Sequence, residues 1–78
     1  MGMLLTGDEA RAFAEKAQPE SLGLLELRDH WKTLPAHRGL FESKAPFEKV
    51  WTAFDNSDGC FWIEDFLSEK HARAWLGL

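Results

Sequence analysis

Lys49-Val50-Trp51-Thr52-Ala53-Phe54, then Asp55-Asn56-Ser57-Asp58-Gly59, then Cys60-Phe61-Trp62-Ile63: these three runs set the architecture of the chain. The outer two are rich in β-branched and aromatic residues, which fit a pleated, half-buried surface. The middle run is turn chemistry, since Asn, Ser and Asp bond to nearby backbone and Gly59 can adopt positive φ to close a type I turn with a bulge. The reading is a β-hairpin. Strand alternation then sends Val50, Thr52 and Phe54 one way and Trp51 and Ala53 the other, while Cys60 and Trp62 oppose Phe61 and Ile63. Both faces therefore carry large rings. A helical alternative exists, with Ser43 as cap, Pro46 in the first turn, and Phe47, Val50, Trp51 and Phe54 at three-four spacing.

Downstream, Leu67-Ser68-Glu69 is a helix start in which the Ser68 hydroxyl can accept from a free N–H and Leu67 can staple onto Ala72. Ala72, Trp75 and Leu76 follow at helical spacing, and Gly77 is a stop. Upstream, Thr6-Gly7-Asp8-Glu9 reads as a capping box for a helix to about Ala17. That helix puts Ala10, Phe13, Ala14 and Ala17 on one face and spaces Arg11 and Glu15 for an ion pair. Pro19 fits the first turn of a second helix ending near Thr33 or Leu34, with Leu24, Leu27, Trp31 and Leu34 at helical spacing. Gly23 weakens its beginning, and Pro35 fixes its end. From Pro35 to Pro46 a connection is expected, with at most a short helical turn from His37 to Glu42. The interval from Leu5-Thr6 to Ala10 matches that from Leu67-Ser68 to Ala72, so Met3-Leu4-Leu5 is a candidate third strand, useful because a hairpin alone is marginal.

The expected fold is α+β: one small two-layer domain over residues 1–78, a hairpin with an optional short N-terminal strand packed against two to three helices. A chain of 78 residues buries only roughly 60% of the surface exposed when unfolded, so its stability margin is thin. Cys60 is the only cysteine, which excludes an intramolecular disulfide and fits a reducing compartment. With no long apolar run and no basic-then-apolar leader, the expected location is the cytoplasm, away from membranes.

Net charge is −4, which argues against direct, sequence-independent nucleic-acid binding. Its distribution says more. From Val50 to Glu69 the acids Asp55, Asp58, Glu64, Asp65 and Glu69 meet no base, making the hairpin an acidic pole.

The Asp55–Gly59 run resembles a calcium loop only superficially, since counting from Asp55 puts Gly59 fifth and Phe66 twelfth, against a required Gly sixth and Glu twelfth. His30, His37, His71 and Cys60 lack the spacing of a zinc site. A Cys60–His71 pair, or carboxylates from Glu64, Asp65 and Glu69, would need a water-excluding pocket that a domain this small rarely holds. No phosphate loop, nucleophile elbow or cofactor fingerprint is present. No enzyme, metal or cofactor is expected.

What remains is a surface with Trp51 or Trp62 displayed among Asp55, Asp58, Glu64 and Asp65, an anchor-and-rim composition suited to a basic protein partner or a second copy of the chain. A second expectation is an inhibitor of a nucleic-acid-binding complex, of the kind mobile elements encode, with carboxylates standing in for phosphates. A third is nucleic-acid binding through Arg28, Lys32, Arg38, Lys44 and Lys49, which the overall charge disfavours.

Overall fold

The computed structural model describes residues 3–44 and 49–78. In chain order these form β1 (Leu4–Thr6), α1 (Gly7–Ala17), α2 (Leu24–Thr33), β2 (Arg38–Lys44), β3 (Lys49–Asp55), β4 (Trp62–Phe66) and α3 (Glu69–Trp75). The sheet runs in the order β1-β2-β3-β4, with β1 parallel to β2 and the other pairs antiparallel. It is a small α+β domain: α1 and α2 cover one face of the four-stranded sheet and α3 packs on part of the other.

Pairing register fixes both faces. Toward α1 the rows are Gly39–Phe54–Ile63 and Phe41–Thr52–Asp65; toward α3 they are Arg38–Asp55–Trp62, Leu40–Ala53–Glu64 and Glu42–Trp51–Phe66. The expected alternation of β3 is thus realised, and Val50 to Phe54 are strand rather than helix. Pro46 and Phe47, the start of the helical alternative, lie outside the described residues.

The larger core centres on Phe54, which is wholly buried. Phe13 stacks on it at 5.3 Å and Phe61 tilts against it at 5.3 Å, while Trp31 meets Phe61 at 6.2 Å. Ala10, Ala14 and Ala17 let α1 approach this ring stack closely. The space Phe54 occupies is supplied by Gly39, where a Cβ would stand 2.1 Å from the Phe54 ring. The smaller core joins Leu40 and Ala53 to Ala72 and Leu76 of α3.

Several local expectations are corrected. Residues 38–44, expected as connection, are the strand β2. This inner strand is buried on both sides at Gly39, Leu40 and Phe41, so adjacent apolar residues replace the alternation that marks a half-buried strand. The N-terminal strand exists, but it joins β2 and not the β3–β4 hairpin. The hairpin's second strand is Trp62–Phe66 rather than Cys60–Ile63, because Phe61 turns into the core and residues 56–61 form the loop, with Gly59 at φ 84°. Thr6 precedes α1 but makes no side-chain cap: Gly7, at φ 59°, breaks the helical register between Thr6 and Glu9. Arg11 pairs with Asp8 at 3.0 Å instead of Glu15, and also donates to the Glu42 carbonyl at 2.7 Å. The second helix begins at Leu24, behind Gly23, and is held from its far end, where the Trp31 indole donates to the Ala17 carbonyl at 2.8 Å. Leu67 is 74% exposed and so does not staple onto Ala72. The Ser68 cap is as expected, accepting from the His71 N–H at 3.2 Å.

Candidate partner-binding surface

The β3–β4 loop is braced by its own acids. Asp55 accepts from the Ser57 N–H at 2.8 Å and from the Ser57 hydroxyl. Asp58 accepts from the Cys60 N–H at 3.1 Å and from the Trp62 indole N–H at 3.0 and 3.2 Å to its two oxygens. The indole bond, followed by that from the Cys60 amide, holds the Asp58 carboxyl below its usual range. Trp62 is therefore fixed at its polar edge while its side chain stays 56% exposed.

Of the six residues singled out in the sequence, Asp55, Trp62 and Glu64 share the α3 face, with Asp58 tied to Trp62. Trp51 is on the same face but sits apart, half-buried beside the smaller core. It borders a recess of about 260 Å³ with Leu40, Glu69 and Arg73. Asp65 belongs to the opposite face, where its carboxylate accepts from the Thr52 hydroxyl at 2.7 Å. A groove of about 420 Å³ opens there, between α1 and β4, lined by Arg11, Phe41, Thr52, Ile63 and Asp65. Among the described residues the ion pairs are Asp8–Arg11, Glu42–Lys49 and Glu69–Arg73, so Asp55, Asp58, Glu64 and Asp65 enter none of them.

The sequence did not bring out Ile63, Phe66 and Trp75. Ile63 and Trp75 are each 38% exposed, and the Trp75 ring lies 6.1 Å from Phe66. For Ile63 and Phe66 the signal was present in the apolar content of residues 61–67, but it became legible only once β4 proved to be the outermost strand; Trp75 was read only as part of the apolar face of α3. The basic middle stretch is dispersed: the Arg38 guanidinium donates to the Leu76 carbonyl at 2.6 Å, Lys49 pairs with Glu42 at 3.8 Å, and the Lys44 side chain lies outside the described residues. Among the described residues no three of His, Cys, Asp and Glu gather as metal ligands, and no helix is long and apolar enough to cross a membrane. No family model, curated protein or solved structure matches the chain.

Proposed function

We propose that the chain is a non-enzymatic protein-binding module whose hairpin presents Trp62, rimmed by Asp55, Asp58 and Glu64, to a basic partner surface. The carrying observation is the Trp62 indole, exposed over half its area yet anchored by Asp58. A ring held in one place loses little freedom on association, which is what makes an aromatic anchor effective. Carboxylates that enter no ion pair among the described residues surround it, and such charges favour cationic partners and speed encounter. The acids divide between two faces of β4, which supports an anchored protein contact over a nucleic-acid mimic, where a single row of charges would replace phosphates.

The test is co-purification from the source cells with wild-type protein and with Trp62→Ala. A specific partner retained by the wild type should be lost in the variant, with circular dichroism unchanged. Retention by both would remove Trp62 from the interface. Displacement of the partner by added duplex DNA would favour the mimic.

A further inference from the structure

β4 is the outermost strand, and its residues Trp62 to Asp65 are all exposed. An outer strand turns a row of N–H and C=O groups away from its neighbour, and stable proteins usually protect that row by shortness, a bulge, a proline or charged side chains, lysine above all. The opposite edge is protected by shortness, since β1 has 3 residues. β4 has 5 residues, Trp-Ile-Glu-Asp-Phe, with neither proline nor lysine. Its side chains suit pairing: aromatic and β-branched groups flank two acids that alternate across the sheet, Glu64 toward α3 and Asp65 toward α1.

We propose that β4 receives an extended basic segment of a partner protein as a fifth strand, with two adjacent Lys or Arg residues opposite Glu64 and Asp65 and an apolar residue beside Ile63. This deepens the protein-binding reading and rests on it. Charge chooses the occupant. A second copy, docked antiparallel through a centred β4–β4 pair, would set Glu64 against Glu64, and like charges directly opposite destabilise a ladder. Adjacent basic residues instead fall on alternate faces of the incoming strand, one reaching each acid. Trp62 adds an aromatic face at the end of the strand, where a further Arg can stack. Backbone bonds supply binding and the acids supply selection, the division of labour of strand addition.

The probe is the capped peptide Thr-Val-Arg-Lys-Val-Thr, titrated against the full chain while amide hydrogen exchange is followed in β4. The expected result is saturable protection of the alternate β4 amides that face away from β3. N-methylation of the peptide at alternate residues should weaken binding by about tenfold or more, since it removes ladder bonds and leaves the charges. Glu64→Lys combined with Asp65→Lys should abolish binding of this peptide and accept Thr-Val-Glu-Asp-Val-Thr in its place. Absence of β4 protection at millimolar peptide overturns the proposal, as does equal affinity for the N-methylated peptide or a wild-type dimer that buries β4. A partner captured through Trp62 with β4 still exchanging freely would refute strand addition alone; loss of that capture's dependence on Trp62 would refute the underlying reading.

Discussion

Three residues decide more than their size implies. Gly39 exists for Phe54: a methyl group there would lie 2.1 Å from the ring, so the central aromatic of the core would have to leave its place. Gly39→Ala is expected to cost about 3 kcal/mol, measurable by urea denaturation, because overpacking a rigid core forces rings off their rotamers. Asn56 is 2% exposed and ties the hairpin loop to the α2–β2 connection, its amide nitrogen donating to the Pro35 carbonyl at 2.9 Å and its backbone N–H to the His37 carbonyl at 2.9 Å. Asn56→Ala removes this tie between the loop and the connection and should cost about 1 kcal/mol. Asp58 gives the pH signature. Its folded pKa is depressed because the Trp62 indole N–H favours the carboxylate, so the bond's contribution is fully present above the ordinary value of 3.8 and is lost as pH falls through the lowered folded value. A carbon-detected titration should place Asp58 below the ordinary value of 3.8, and Trp62→Phe should move it upward.

At the scale of elements, the chain announces those that are punctuated locally. Ser68 and Gly77 bracket α3, and the Asp-Asn-Ser-Asp-Gly run separates two strands, because capping and turn chemistry depend on residues a few positions apart. Ser68→Ala should cost about 1 kcal/mol, seen as a lowered thermal midpoint. β2 is different: Arg38-Gly39-Leu40-Phe41-Glu42 has a glycine that discourages a strand reading, and that glycine is required only by a ring fifteen positions away in the row Gly39–Phe54. The false capping box at Thr6 has the same origin, since the turn from β1 into α1 is set by pairing with β2 and Gly7 accommodates it. For the candidate surface, the acids and the hairpin rings were legible as composition. Which ring stayed outside was not. Trp51 and Trp62 share a face, and only the placement of α3 against Leu40 and Ala53 separates a half-buried indole from an exposed one.

For the molecule as a whole, the sheet combines two kinds of pairing. β2, β3 and β4 form a meander of near neighbours, and the hydroxyl of Thr52, at its middle, reaches both Ser43 at 3.3 Å and Asp65 at 2.7 Å. β1 instead lies parallel to β2, Leu4 beside Arg38, with both α1 and α2 in the intervening chain. Bringing distant segments together costs entropy before any contact repays it, which predicts that the meander forms first and β1 joins late. Thr52→Ala should then slow refolding in stopped-flow mixing. Leu5→Ala, in the late strand, should leave the refolding rate nearly unchanged and show its whole penalty as faster unfolding. Until β1 docks, the Arg38–Leu40 edge of β2 is unpaired as well, so this order of assembly gives the nascent domain two open rims instead of one, and its tendency to aggregate should be greatest then.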